Sequence, residues 1–429
     1  MYREEQLKAL LQGKRLLLAG YGREGKSTER LVRTILPDAD ITIVEGNENI
    51  VKEAAKGYDL IIKSPGIPTF VFEGHCDLNT ITSQTDLFLQ VYGSQTIGVT
   101  GTKGKSTTTN LIAAIMQHHN PNMLMAGNMG IPLFDVIPQI DEETTIVCEF
   151  SCHQLENIHR APHTAILLNL FQEHLDHYHS YLDYQLAKLQ SGLKQKEGDN
   201  FFYCNDNEEL STLVQEKRKE MSGNVIPYSI HSEQAELLRG KARKLQGDHN
   251  LTNIVVAYLA AKSLGVSDQL IFDTVAEFNG LEHRMELVGT YDGVTYYNDS
   301  ISTIPEACIA AVSALQKVDS LIVGGFDRGI EYGVLGDFLA HSEVRNIVFV
   351  GEAGKRIKTE YENALRGSPS GKNILVESDY NILVPWLKER TDKGKICLLS
   401  PAAASYDAFK NFEERGRIYK ELVKGSSEN

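Results

Sequence analysis

Residues 98–109 have the sequence GVTGTKGKSTTT, and the segments on both sides indicate a strand, a glycine-rich turn and a helix. Residues 96–100 are the apolar run of a short buried strand, and residues 110–116 have the apolar spacing of a helix. Backbone N–H groups in such a turn can converge on a polyphosphate, and the helix N-terminus adds partial positive charge. Lys105 would reach the outer phosphates, and the Ser106 hydroxyl would hold Mg²⁺. These features predict a nucleotide site in an α/β fold.

A second glycine-rich loop lies near the start of the chain. Residues 16–28 have the sequence LLLAGYGREGKST, again a strand followed by a turn and a helix. Gly20, Gly22 and Gly25 form GxGxxG, and residues 20–27 also match the spacing GxxxxGKS. Both loops precede a helix N-terminus, so either could hold a diphosphate. The spacing alone leaves open which loop binds ATP and whether residues 20–27 bind a dinucleotide.

Length and composition restrict the classes of protein. A chain of 429 residues is too long for one ordinary core, so we expect two or three domains. The net charge is −14 and no long basic run occurs, which argues against a nucleic-acid or anionic-membrane partner. The N-terminus has no apolar signal core, no apolar run is long enough to cross a bilayer, and the six cysteines form no CxxC pair. We therefore expect a cytoplasmic protein with reduced thiols.

The alternation of strand and helix patterns predicts an α/β fold of three domains. Residues 1–90 form a Rossmann-like domain, residues 91–288 a central domain with a mostly parallel, P-loop-type sheet, and residues 289–429 a second Rossmann-like domain. Glu45 lies near the end of the second strand, where dinucleotide-binding folds place an acidic residue for the ribose. Taken alone, the first domain could therefore belong to an oxidoreductase.

Carboxylates and histidines follow two apolar runs that are typical of buried parallel strands. Open α/β sheets bind ligands at the carboxyl ends of such strands. The residues concerned are Glu149, Ser151, His153 and Gln154 after the first run, and Glu173, His174, Asp176, His177 and His179 after the second. No HExxH motif occurs and the cysteine spacing does not suit zinc, so Mg²⁺ or Mn²⁺ beside a nucleotide is favoured.

Several separated motifs resemble those of the Mur ligase family, ATP-dependent enzymes that build the peptide stem of peptidoglycan. The resemblance covers nearly the whole chain. The motifs are TGTKGKS at 100–106, GNMG at 127–130, EFSCHQL at 149–155, NLFQEHLD at 169–176, GDHNLTN at 247–253, EHRME at 282–286, NDS at 298–300, LSPA at 399–402 and KNF at 410–412. The resemblance implies that the loop at 101–106 binds ATP and that the loop at 20–25 holds the diphosphate of a UDP-muramyl substrate.

The resemblance also implies a role for individual residues. The ATP-binding set is Gly101, Thr102, Lys103, Gly104, Lys105, Ser106, Thr107, Asn253, Arg284 and Asp299. The UDP-substrate set is Gly20, Tyr21, Gly22, Arg23, Glu24, Gly25, Ser64, Pro65 and Gly66. The amino-acid set is Thr303, Arg328, Ser405, Tyr406 and Phe412. The catalytic set is Lys105, Asn128, His174 and Lys188, and two Mg²⁺ sites would use Ser106, Glu149, His174 and Lys188 in carbamylated form (N6-carboxylysine).

The implied reaction adds glutamate to UDP-N-acetylmuramoyl-L-alanine through an acyl phosphate, by a monomeric enzyme. Enzymes that add D-glutamate typically have DSKATN where residues 299–304 are DSISTI, so an expected lysine is Ile301. Arg328 replaces another expected lysine. These departures lead us to predict a slight preference for L-glutamate, with D-glutamate as the alternative. A folylpolyglutamate-type ligase, an oxidoreductase and a non-catalytic nucleotide-binding module are the competing predictions.

Overall fold

A computed structural model describes residues 2–128, 131–173, 177–241, 245, 247–367, 369 and 371–425. The chain forms two compact units, residues 1–278 and 279–429. The described residues form three sheets, in which each strand pair is parallel except one. In the part of the chain that the structure describes, no helix is both long enough and apolar enough to span a bilayer.

The first sheet has four strands in the order β2-β1-β3-β4. The strands are β1 (Leu16–Ala19), β2 (Ile41–Val44), β3 (Leu60–Lys63) and β4 (Ile81–Thr82). The helices around them are α1 (Glu4–Leu11), α2 (Arg23–Ile35), α3 (Asn47–Ala54) and α4 (Gln84–Tyr92). All four residues of β1 are buried, as expected for a central strand covered on both faces.

The second sheet has six strands in the order β10-β9-β8-β5-β7-β6. The strands are β5 (Thr96–Thr100), β6 (Met123–Gly127), β7 (Thr145–Glu149), β8 (Thr164–Leu167), β9 (Asn200–Cys204) and β10 (Asn224–Tyr228). The helices are α5 (Lys105–His119), α6 (Leu133–Val136), α7 (Cys152–Leu155), α8 (Tyr181–Leu193), α9 (Glu208–Lys217), α10 (Glu233–Arg239), α11 (Asp248–Ser263) and α12 (Asp268–Glu277).

The first two sheets share apolar packing, which explains why residues 1–278 form one unit. One hydrophobic cluster contains Leu31 of α2 and Phe88 of α4 together with Phe134 of α6, Cys148 of β7 and Phe150. Burial of this apolar area stabilises the two sheets against each other, because separating them would expose it to water.

The second unit contains the third sheet, in the order β11-β12-β16-β13-β14-β15. The strands are β11 (Glu286–Tyr291), β12 (Val294–Asn298), β13 (Val318–Gly324), β14 (Asn346–Val350), β15 (Asn373–Val376) and β16 (Ile396–Leu399). The helices are α13 (Pro305–Leu315), α14 (Gly333–His341), α15 (Gly351–Leu365), α16 (Tyr380–Arg390) and α17 (Phe412–Lys424). Among the described strands of this sheet, β11 alone runs antiparallel, against β12.

Three α/β sheets confirm the predicted fold class. The domain limits 1–90, 91–288 and 289–429 stay a prediction.

Candidate active site

The glycine loop between β5 and α5 has the strand–turn–helix form that its sequence predicts. Gly101 has a φ of +147° and Gly104 a φ of +85°, values that residues with a Cβ rarely adopt. Space is also restricted, because a Cβ on Gly104 would lie 2.7 Å from Oδ1 of Asn253. The structure thus brings Asn253, on α11, to the loop that the sequence assigns to ATP.

Two lysines, the half-buried Lys105 and the buried Lys188, donate to the backbone of this loop. Lys105 Nζ donates to the carbonyl oxygens of Gly101 and Thr102, both at 2.9 Å, and Lys188 Nζ donates to Gly101 O at 3.0 Å. Lys188 is only 2% exposed, and its ammonium lies 4.9 Å from the centre of the Tyr184 ring. Burial lowers the pKa of Lys105, and burial together with the nearby Lys105 charge lowers the pKa of Lys188 to about 8. Lys188 is therefore not a surface lysine.

The segment after β8 fixes the backbone of the glycine loop. The N–H of Lys103 donates to Asn169 Oδ1 at 2.8 Å, and Asn169 Nδ2 donates to Lys103 O at 3.0 Å. The Lys103 ammonium pairs with Glu173, and the Thr102 and Tyr184 hydroxyls are 2.7 Å apart. Glu173 directly precedes His174, which lies outside the described residues, as does Asp176. No role was predicted for Asn169, although it belongs to the NLFQEHLD motif.

Glu149 ends β7 and is nearly fully buried. Asn128 Nδ2 donates to its Oε1 at 2.9 Å, whereas Oε2 has no hydrogen-bond partner among the described residues. A buried carboxylate oxygen without a partner is costly unless a cation or donor is supplied, so Glu149 fits a magnesium ligand. Ser106, at the start of α5, is also buried. The described residues contain no group of three or more His, Cys, Asp or Glu side chains placed to hold a metal.

The other glycine loop, before α2, borders a cavity of about 430 Å³ at the carboxyl end of the first sheet. Residues predicted from the sequence line it: Gly20, Tyr21, Gly22, Arg23, Glu24, Ser64 and Pro65. Gly25 is required by the turn itself, since a Cβ there would lie 2.5 Å from Gly20 O. Gly66 is not restricted in this way, because a Cβ there would meet no atom within 4 Å. Glu45, Gly46 and Asn47 line the same cavity and were not predicted for this substrate; their position just after β2 was the available signal.

Two histidines after His174 have different environments. His177 is buried, its ring lies 3.9 Å from the ring of His153, and its Nε2 lies 3.6 Å from Glu156 Oε2. His179 is exposed, and its ring lies 4.8 Å from the ring of Phe70 at a tilt of 38°. Cys148 and Cys152, whose spacing does not suit zinc, are buried free thiols.

In the second unit, Asp299 follows β12 and is 2% exposed. Its Oδ2 accepts from Ser400 Oγ at 2.8 Å, and its Oδ1 accepts from the N–H of Met285 at 3.1 Å. Burial raises the pKa of the Asp299 carboxyl. Arg284 lies between His283 and Met285, which both have positive φ, so this turn holds Arg284 next to the residue that binds Asp299.

The predicted amino-acid residues lie on three loops of the same unit. Arg328 Nη2 donates to Thr303 O at 3.0 Å. Tyr406 is 67% exposed and its ring lies 6.3 Å from that of Phe326, whereas Ser405 is buried. The carbonyl oxygen of Phe412, the first residue of α17, accepts from Ser300 Oγ at 2.8 Å.

Arg415, for which the sequence predicted no role, joins the loop at Ser300 to the loop at Ala403 and Ala404. It is 1% exposed and donates to Ser300 Oγ at 3.0 Å, to Ser300 O at 2.8 Å, and to Ala403 O and Ala404 O at 3.1 Å each.

Residues 99–254, which include the glycine loop, β7 and β8, match the Mur ligase middle domain. The chain is 32% identical to UDP-N-acetylmuramoylalanine--D-glutamate ligase of Desulfitobacterium hafniense, over 98% of this chain and 94% of that protein. It is also 32% identical to the ligase of the same name from Ruminiclostridium cellulolyticum, over 86% of this chain and 83% of that protein. The chain belongs to the Mur ligase family.

Solved Mur ligases share the fold of this chain. MurF of Acinetobacter baumannii has a TM-score of 0.61 and 15% identity, with 99% of both chains covered. The MurF ligase of Thermotoga maritima in complex with ADP has a TM-score of 0.52 and 16% identity, covering 88% of this chain and 92% of that one. At such low identity these two structures bear on the fold alone, and they support the predicted architecture.

Members of the Mur ligase family are ATP-dependent ligases of peptidoglycan synthesis, and this Mur ligase is an ATP-dependent carboxylate–amine ligase. For the chain as a whole, the oxidoreductase and the non-catalytic module were therefore wrong alternatives. The predicted preference for L-glutamate is not supported either, because both relatives are named as D-glutamate ligases. The D-glutamate alternative fits the relatives better.

Proposed function

We propose that this Mur ligase joins D-glutamate to UDP-N-acetylmuramoyl-L-alanine and converts ATP to ADP and phosphate. The observation that carries the proposal is the 32% identity to a D-glutamate ligase across 98% of the chain. Two glycine loops, each at the carboxyl end of its own parallel sheet, support it, because the reaction needs one site for a nucleotide-linked substrate and another for ATP.

The loop at 101–106 is proposed to hold ATP. Its backbone N–H groups and the N-terminus of α5 would bind phosphate oxygens, and Lys105 would neutralise the outer phosphates after leaving Gly101 O. Asn253 adjoins Gly104, which supports its proposed nucleotide contact. Arg284 and Asp299 stay proposed nucleotide contacts, with Asp299 on the ribose.

The loop at 20–25 is proposed to hold the UDP diphosphate. A carboxylate beside a diphosphate would repel it. The Glu24 carboxylate is instead hydrogen-bonded to Gln154, whose Nε2 donates to Glu24 Oε1 at 2.8 Å. Burial also raises the pKa of the Glu24 carboxyl, and the Gln154 hydrogen bond opposes this rise. The backbone N–H groups at the start of α2, rather than the Glu24 side chain, would therefore face the diphosphate.

Catalysis would depend on positioning and charge neutralisation. The substrate's alanyl carboxylate attacks the γ-phosphate of ATP, and the resulting acyl phosphate is a far better electrophile than the carboxylate. The amine of glutamate then attacks the acyl carbon, and the tetrahedral intermediate collapses to the amide and phosphate. Lys105 would stabilise the transferring phosphoryl group, and Asn128, which Glu149 orients, would contact the reacting groups, as would His174.

Mg²⁺ is proposed at two sites, held by Ser106 and by Glu149 with His174. When bound, Mg²⁺ neutralises phosphate oxygens and the charge that develops on them. Lys188 offers no oxygen as an amine, so it fits a metal site only as a carbamate. Its buried position and its pKa of about 8 favour carbamylation, because only the neutral amine reacts with CO₂.

A guanidinium in the glutamate pocket supports the proposed substrate. Ile301 supplies no positive charge, but Arg328 lies against Thr303 O and can bind a carboxylate with two parallel hydrogen bonds. We further propose a monomer in the cytoplasm, where ATP and UDP-linked precursors are present.

The decisive experiment measures ADP and amide formation from ATP, Mg²⁺ and UDP-N-acetylmuramoyl-L-alanine with D-glutamate, L-glutamate or no amino acid. We expect D-glutamate to give the highest kcat/KM. A higher value with L-glutamate would reverse the assignment of the enantiomer, and the absence of ADP formation with both would refute the function.

A further inference from the structure

Three polar side chains on and just after α7 contact β3 of the first sheet or segments that follow its strands. We call residues 154–157 the connector. Gln154 Nε2 donates to Glu24 Oε1 at 2.8 Å, and Asn157 Nδ2 donates to Thr69 Oγ1 at 2.7 Å. Between them, Glu156 Oε2 accepts from Lys63 Nζ at 2.9 Å.

The contacted residues belong to the walls of the 430 Å³ cavity or adjoin them. The cavity is lined by Glu24 and, on a second segment, by Ser64, Pro65 and Ile67. We call this second segment the wall at 64–67, and Lys63 immediately precedes it. Lys63 Nζ also donates to Ile67 O at 2.8 Å, which closes residues 63–67 into a loop. The shape of this wall therefore depends on where the Lys63 ammonium lies.

Burial makes the Lys63–Glu156 pair sensitive to the loss of either charge. The Lys63 side chain is 1% exposed and that of Glu156 is 15% exposed. An ammonium that keeps its charge without a carboxylate partner at this depth must move towards water or lose its proton. Either response would weaken its hold on Ile67 O.

The connector also forms hydrogen bonds with the segment that follows β7, the strand that ends at the candidate magnesium ligand Glu149. Gln154 Oε1 accepts from the N–H of Ser151 at 3.0 Å, and Ser151 Oγ accepts from the N–H of Gln154 at 3.2 Å, a capping box at the start of α7. Ser151 follows Glu149 by two residues. The connector thus joins the cavity walls to the strand end that carries the proposed magnesium ligand.

We propose that Glu156 and Lys63 are positioning residues for the muramyl nucleotide. They hold the wall at 64–67 in the position from which the bound substrate directs its carboxylate towards the ATP loop. This inference rests on the proposed function. Neither residue needs to touch the substrate, so their loss should affect the muramyl nucleotide and leave ATP and glutamate binding intact.

The test uses the full-length enzyme and measures the Kd of UDP-N-acetylmuramoyl-L-alanine by calorimetry without ATP, and the KM of all three substrates. We expect Glu156→Gln to raise the Kd and KM for the muramyl nucleotide about tenfold, while KM for ATP and for glutamate changes less than twofold. The double variant Lys63→Met/Glu156→Gln should bind no more tightly than Glu156→Gln alone, because it too lacks a charged Lys63 side chain held on Ile67 O.

Asp199→Asn is the matched control, because Asp199 forms a buried ion pair with Arg160 in the same unit and neither residue lines the cavity. It should lower stability without changing any KM. Should Glu156→Gln fail to fold, Asn157→Ala removes a neutral contact to Thr69 and should raise the nucleotide Kd about threefold. A normal Kd in a folded Glu156→Gln protein, or equal rises in all three KM values, would overturn the inference. Failure of the unmodified enzyme to bind the muramyl nucleotide would refute the proposed function itself.

Discussion

Lys105 and Lys188 donate hydrogen bonds to one acceptor, the carbonyl oxygen of Gly101, at 2.9 and 3.0 Å. Two ammonium groups can share a carbonyl oxygen because it has two lone pairs, but their like charges repel. The repulsion between the two ammonium groups is removed when Lys105 moves to the phosphates or when Lys188 becomes a carbamate. Binding of ATP and carbamylation of Lys188 should therefore favour each other.

The first prediction concerns Lys105. Lys105→Met should lower kcat by about 10²–10³-fold and weaken ATP binding, because it removes a charge aimed at the transferring phosphoryl group. Lys103→Met is the control in the same loop: its side chain is 69% exposed and pairs with Glu173, so a smaller effect is expected. Calorimetric Kd values for ADP and steady-state rates would check this, and equal losses in the two variants would contradict it.

The second prediction concerns Lys188 and pH. With a pKa of about 8, this side chain is mostly charged at pH 7 and mostly neutral at pH 9, and only the neutral amine attacks CO₂. A carbamate signal in ¹³C NMR with labelled bicarbonate should therefore rise between pH 7 and 9. The signal should vanish in Lys188→Met and persist in Lys194→Met, which alters an exposed lysine at the end of the same helix. A signal unaffected by Lys188→Met would place the carbamate elsewhere.

The sequence predicted those parts of the site that a local pattern encodes. The strand–turn–helix pattern placed Lys105 and Ser106 correctly at the start of α5, because glycines with positive φ and the following apolar spacing are adjacent in the chain. The position of Glu149 at the end of β7 was predictable for a similar reason, because parallel strands bring their carboxyl ends to one edge of the sheet.

Contacts between distant segments were not predictable in this way. Lys63 and Glu156 are 93 residues apart, and Arg415 reaches Ser300 across 115 residues. The periodicity of a sequence does not predict such pairs, since charged residues in a sequence usually indicate solvent-exposed faces. His177 illustrates the same limit, because only the fold shows that it is buried against His153 and Glu156.

The third prediction concerns acid stability. Burial would raise the pKa of Asp199, but His163 Nδ1 at 2.8 Å and the Arg160 guanidinium lower it to about 2. Because the folded pKa lies below the unfolded value, this carboxylate stabilises the fold above about pH 4, and that stability is lost as the pH falls towards 2. Asp199→Asn should cost about 1–2 kcal/mol at pH 7 and much less near pH 2, measured by urea unfolding. A cost independent of pH would contradict this origin.

The fourth prediction concerns Arg415, whose guanidinium donates to Ser300 Oγ and to three backbone carbonyl oxygens. Arg415→Met would fill similar volume but leave these buried acceptors without their donor, and each such loss costs about 1–3 kcal/mol. We therefore expect the second unit to lose at least about 3 kcal/mol of unfolding free energy.

Arg417→Met is the control, since Arg417 lies two residues away, is exposed and pairs only with Glu421 among the described contacts. It should cost less than about 0.5 kcal/mol. The sole tryptophan, Trp386, packs with residues of α17, so its fluorescence during urea unfolding reports on this unit. Similar midpoints for the two variants would show that the buried guanidinium does not hold these loops.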